Sequence, residues 1–129
     1  MEATAVAATL SGAPSTLDAF RRQRDLRSIV VYVRDATCAV GTLVPPGRPG
    51  FARGTIVHFG ISVLCGEALA RTLPESNSLT WGAAAGLAIG VVGVGVIGRR
   101  FPAIRALPLI PQLADHLAFG AGFALVVDR

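Results

Sequence analysis

Four ionisable side chains, His58, Glu67, Asp115 and His116, interrupt otherwise apolar stretches of this sequence. A buried charge is costly unless it is paired, so such residues are where chemistry is sought first. His58, Ser62 and Cys65 follow an i, i+4, i+7 spacing, which puts an imidazole, a hydroxyl and a thiol on one face of a helix. Glu67 stands four residues before Arg71. A helical ion pair accounts for that spacing without function. Asp115 and His116 are adjacent, hence about 100° apart on a helix, and both fall within about two turns of Pro111. If the two segments start at the same end, His58 lies at a similar depth, and His58, Asp115 and His116 form one cluster.

Such a cluster admits three chemistries. A structural polar lock is favoured, in which Asp115 accepts hydrogen bonds between two helices and draws an ion pair from Arg99 or Arg100. A proton or small-solute pathway is the second, because imidazoles titrate near neutrality. Bis-imidazole ligation of haem or a metal is the third, although two histidines without a third ligand or a Cys-x-x-Cys-His motif do not define such a site. No nucleophile elbow, zincin motif, phosphate loop or dinucleotide fingerprint occurs, so no catalytic residue, metal or cofactor is assigned and no enzyme is expected.

The elements that would position this cluster point to lipid. Mean hydropathy is +0.58, with 52% apolar and 16% charged residues. From Ser76 to Gly98 no residue is charged, a run long enough to cross a hydrocarbon core about 30 Å thick. Four segments of about 17–20 residues are expected to span: 3–20, which is weakly apolar, 54–73, 79–98 and 111–127. A fifth stretch, 28–44, carries Arg34 and Asp35 near its middle. Two central charges at about 2.5–3.5 kcal/mol each argue against insertion.

Arginine placement supports that division, since cytoplasmic loops hold the positive excess. With 28–44 lying as an amphipathic helix at the interface, ten arginines fall on one side: Arg21, Arg22, Arg24, Arg27, Arg34, Arg48, Arg53, Arg99, Arg100 and Arg105. Arg71 and Arg129 remain on the other, with Glu2, Glu75 and Asp128, and both termini face outward. If 28–44 crossed as well, Arg99, Arg100 and Arg105 would lie opposite Arg21, Arg22, Arg24 and Arg27. The expected fold is therefore all-α, a single membrane domain over residues 1–129 with about four transmembrane helices and one interfacial helix.

Gly82, Gly86 and Gly90 recur every fourth residue and make a groove along the third span, where a neighbouring backbone approaches closely. Static packing, within the chain or against a second copy in a homo-oligomer, is favoured over a sliding contact. Trp81 suits an aromatic anchor at the headgroup level. Pro111 fits the first turn of a helix. The partner expected is the bilayer itself, with arginines meeting anionic headgroups. No small-molecule ligand is indicated. Nucleic acid is not expected, because the arginines flank apolar segments and form no stripe with interleaved aromatics. Twelve cationic residues, all arginine, fit a GC-rich bacterial genome. Cys38 and Cys65 lack metal spacing and read as small buried residues. The N-terminus carries Glu2 and no early positive charge, so a cleaved signal is not expected.

The segments 9–16 (Thr-Leu-Ser-Gly-Ala-Pro-Ser-Thr), Val57-His58 with Ile61-Ser62, and 98–108 continuing through 115–120 resemble small uncharacterised multi-pass membrane proteins of actinobacteria, more distantly similar to the YagU-like inner-membrane proteins. The resemblance covers most of the chain outside about 25–53. It implies a plasma-membrane protein without an assigned role, whose first segment breaks near Gly12-Ala13-Pro14. Ser11, Ser15 and Thr16 are then placed to satisfy the freed backbone groups. The expected role is a structural or accessory membrane component, with a proton or small-solute carrier as the alternative.

Overall fold

The computed structural model describes residues 2–23 and 25–127, and among them the chain is helical with no strand. The helices are α1 (Glu2–Leu10), α2 (Ala13–Gln23), α3 (Leu26–Val40), α4 (Phe51–Thr72), α5 (Ser78–Gly90), α6 (Pro102–Arg105) and α7 (Leu109–Val127). Helix α5 runs on as a π-helical stretch over Val91–Ile97 and a final 3₁₀ turn at Gly98–Arg100, so one rod covers Ser78–Arg100. Arg24, Asp128 and Arg129, three of the charges that bear on topology, lie outside the described residues.

By length and composition, two helices can cross a membrane: Ser78–Arg100, with a mean hydropathy of 1.9, and Leu109–Val127, with 1.4. This corrects the expectation of four such apolar segments. Helix α4 has 22 residues, long enough to cross, but Arg53, His58, Glu67 and Arg71 are among the polar residues that lower its hydropathy. The first segment is two helices. The chain turns at Ser11 and Gly12, and hydroxyls absorb the freed carbonyls there: Ser11 Oγ donates to Ala8 O at 2.9 Å and Thr16 Oγ1 to Gly12 O at 2.7 Å. Stretch 28–44 resolves into α3 and a 3₁₀ turn at Gly41–Leu43. Asp25 caps α3, accepting from Arg27 N at 3.2 Å.

Glycine decides how α5 meets α7. A Cβ at Gly82 would stand 2.7 Å from the Ala124 methyl, one at Gly86 would collide with the His116 carbonyl, and one at Gly90 would stand 2.9 Å from the His116 Cβ. From the other side, Gly120 of α7 leaves room for the Gly82 carbonyl. The Gly82, Gly86, Gly90 face is therefore filled by α7 of the same chain, and the groove is not open to a second copy. The tight core lies where α1 joins this pair: Ala7, Ala8, Leu69, Phe119 and Phe123 pack together, with Cys65 and Ala85 beside them.

Helix α4 is held differently. Near its start Gly54 is pressed against the Thr37 carbonyl of α3, and towards its end Gly66 is pressed against the Thr4 side chain of α1. The end of the molecule that carries the α4 and α7 starts also carries α3 and the loop around α6, which face one another across a groove lined by Arg27, Tyr32 and Leu107. Arg21, Arg22, Arg27, Arg34, Arg48, Arg99, Arg100 and Arg105 are all exposed. Arg71 pairs with Glu67 at 3.2 Å, as the i, i+4 spacing predicts.

Candidate functional site

Residues of α1, α2, α3, α4, α7 and the Ser78–Arg100 rod line a cavity of about 420 Å³. His58, Asp115 and His116 all line it, together with Ser62 and Cys65 from the expected face of α4. Each of the three cluster residues is partly buried. Their immediate partners differ from those the sequence suggests.

Asp115 reaches back to the break between α1 and α2. Its Oδ1 accepts the Ser15 backbone N–H at 2.8 Å, and the Ser15 hydroxyl adds to the contact. The first N–H groups of a helix have no partner within it, and a carboxylate there satisfies one of them and meets the positive end of the helix dipole. Asp115 is thus a cap for α2 supplied from α7. The ion pair expected from Arg99 or Arg100 does not form. Among the described residues the ion pairs are Arg22–Asp18, Arg34–Asp35 and Arg71–Glu67, and both loop arginines point to the surface.

Tyr32 of α3 completes this corner beside Ser15 and Asp115. Burial first, and the nearby Asp115 carboxylate second, raise its phenol above the ordinary range, so the hydroxyl is neutral at physiological pH. Sequence reasoning misses Tyr32. It sits in a stretch set apart by its charges, and nothing in its spacing ties it to residue 115. Ser15 is legible in the sequence as a backbone-satisfying hydroxyl, not as the partner of Asp115.

His116 bonds within its own helix, its Nδ1 lying 2.7 Å from the Gln112 carbonyl. A carbonyl only accepts, so Nδ1 carries the proton, and in the neutral ring Nε2 is left as an acceptor. The neighbouring Gly90 makes room for the ring. His58 turns towards the Ala8 carbonyl and packs edge-on against Phe59, with ring centroids 5.9 Å apart. Among the described residues no three His, Cys, Asp or Glu side chains converge as a metal site would need.

The arrangement provides a carboxylate engaged with Ser15 and further acceptors at the wall of a mainly apolar cavity. The chain matches no protein-family model, no curated protein and no solved structure.

Proposed function

We propose that this chain is an integral protein of a bacterial plasma membrane, a structural or accessory component whose bundle is locked by Asp115. The observation that carries the membrane reading is the exposure of its most apolar rods. Only 22% of the apolar window in Ser78–Arg100 and 33% of that in Leu109–Val127 is buried, whereas the core helix of a soluble protein is mostly covered. Exposed Leu87, Val91, Val92, Val96 and Ile97 on one rod, Leu117 and Leu125 on the other, and Ile56 and Leu64 on α4 make a surface that water disfavours and lipid accepts.

In this reading α4 and the broken α1–α2 segment cross beside the two apolar rods, giving four crossings in one domain. Their polar groups face the cavity or the ends. Helix α3 lies along the cytoplasmic face, among the arginines that anionic headgroups attract. The resemblance to YagU-like membrane proteins belongs to the same proposal.

Topology tests it. Single cysteines introduced at positions 26, 50, 76 and 104, in a chain lacking Cys38 and Cys65, are probed from outside with a membrane-impermeant thiol reagent. Labelling at 76 alone is the expected result. Labelling at 50 and 104 but not at 26 or 76 overturns the placement of α3, and release of the chain from membranes by alkaline carbonate overturns the membrane reading itself.

A second reading has one observation in its favour: His58, Asp115 and His116 line the same cavity. A proton or small-solute carrier built on them loses flux in His58→Gln while the chain remains folded. In proteoliposomes carrying a pH-sensitive dye, equal proton flux with and without the native chain removes the proton form of this alternative.

A further inference from the structure

The cavity beside α4 has the shape and the charge of a binding site. Gly54 and Gly66, where α4 is pinned to α3 and α1, are twelve residues apart, or about 18 Å along a helix. Between these pins Thr55, His58, Phe59, Ile61 and Ser62 of α4 line the cavity. Its exposed lining residues are Thr9 of α1, Gly12 at the break, Val33 of α3, and Phe59 and Ile61 of α4, and the side framed by Thr9, Phe59 and Ile61 opens between α1 and α4. In a bilayer that direction is the acyl-chain region. A volume of about 420 Å³ lies within the roughly 300–1,000 Å³ typical of small-molecule sites.

One wall of this cavity is rich in acceptors. Asp115 meets the N–H and hydroxyl of Ser15, and a carboxylate has lone pairs for further donors. His116 gives its Nδ1 proton to Gln112 and keeps an acceptor at Nε2. The sequence has no lysine, and none of the ion pairs among the described residues reaches Asp115. The rest of the lining is mainly apolar, from Val40, Leu43, Ile89 and Phe119 among others, with scattered hydroxyls. Such a site calls for a molecule with several donors and a positive charge at one end and an apolar body at the other.

We propose that this cavity binds a lipid-soluble amine in its ammonium form, with the head at Asp115 and His116 and the apolar body along α4. An ammonium brings up to three N–H donors and a charge opposite to that of Asp115, whereas an alcohol of the same shape brings one donor and no charge. The proposal rests on the membrane reading above, since the opening is useful only to a ligand arriving through lipid.

The test is equilibrium binding to the full chain in phosphatidylcholine nanodiscs, by titration calorimetry with empty nanodiscs subtracted, comparing phenylbutylamine with phenylbutanol. Saturable binding of the amine at least tenfold tighter than the alcohol is expected. Asp115→Asn removes that preference. Gly93→Leu is the second variant, because Gly93 lines the cavity and a Cβ there meets nothing within 4 Å; it fills the space without touching a polar group and weakens both ligands. If Asp115→Asn does not fold, the native comparison and Gly93→Leu decide. No saturable amine binding, equal binding of amine and alcohol, or full amine affinity in Gly93→Leu overturns the site. A helical chain retained in the nanodisc that fails to bind overturns this proposal alone, while a chain that does not stay in the bilayer overturns both.

Discussion

Replacing Gly86 by valine is expected to be among the most damaging single changes in the bundle. The first added carbon meets backbone, not a yielding side-chain tip: it collides with the His116 carbonyl and stands about 3 Å from the Gly120 N and Cα. Helices α5 and α7 then have to separate along the whole contact that Gly82, Gly86 and Gly90 make on one side and Gly120 on the other. Overpacking a close contact costs about 1–3 kcal/mol, and more where backbone must move. Gly60→Ala is the matched control, since a Cβ at Gly60 has open space around it. Inside a helix that change gains about 0.5–1 kcal/mol. Detergent-solubilised protein followed by circular dichroism during heating reads both, and similar midpoints for the two variants would mean that α5 and α7 do not pack through this face.

Removing the side chain of Asp115 is expected to cost about 1–3 kcal/mol, the penalty for leaving a buried donor without its acceptor. The donor is the Ser15 N–H in the first turn of α2, which no residue of α2 itself can satisfy. Asp115→Asn keeps an amide oxygen in the same place and should lose less than half as much. Ser15→Ala leaves the backbone N–H in place and should also be mild. A large loss in Asp115→Ala, with Asp115→Asn and Ser15→Ala both close to native, is the signature of a cap reaching from α7 to α2. Equal midpoints for native chain and Asp115→Ala would sink the idea of a lock, whatever the variant did to ligand binding.

Much of the fold's outline is written in the sequence, because helix periodicity, charge and glycine spacing are local properties. The long rod at 78–100 follows from an uninterrupted apolar run, and the ion pair of Glu67 with Arg71 from their spacing on one helix. The break at Ser11 and Gly12 follows from a proline with hydroxyls beside it. The polarity of α4 is equally visible in His58, Glu67 and their neighbours. Length alone suggests a third apolar rod there, and those polar groups are what leave α4 less apolar than the Ser78–Arg100 and Leu109–Val127 helices.

The meeting of the cluster around one cavity can be placed by depth, with His58 and Asp115 each counted from a helix start. The choice among partners is not legible in the same way. Asp115 has arginines nearby in sequence and takes a backbone N–H far from it instead. The geometry of a helix end, created by a break elsewhere in the chain, offers a donor already fixed in position. An arginine side chain near the surface has water as an alternative and gives up rotamer freedom to pair. Tyr32 is hidden for a related reason: its place beside Ser15 depends on the path that α3 takes across the bundle, which no local pattern encodes.

The cap from Asp115 to Ser15 joins residues 100 positions apart, and this has a consequence in time. A ribosome delivers α1 and α2 first and α7 last. Until α7 arrives, the first turn of α2 has no carboxylate at its end, the glycine groove of α5 has no occupant, and the aromatic pair Phe119 and Phe123 is missing from the core around Ala7 and Leu69. The N-terminal helices must therefore wait for these partners until α7 emerges. On arrival α7 closes these contacts at once.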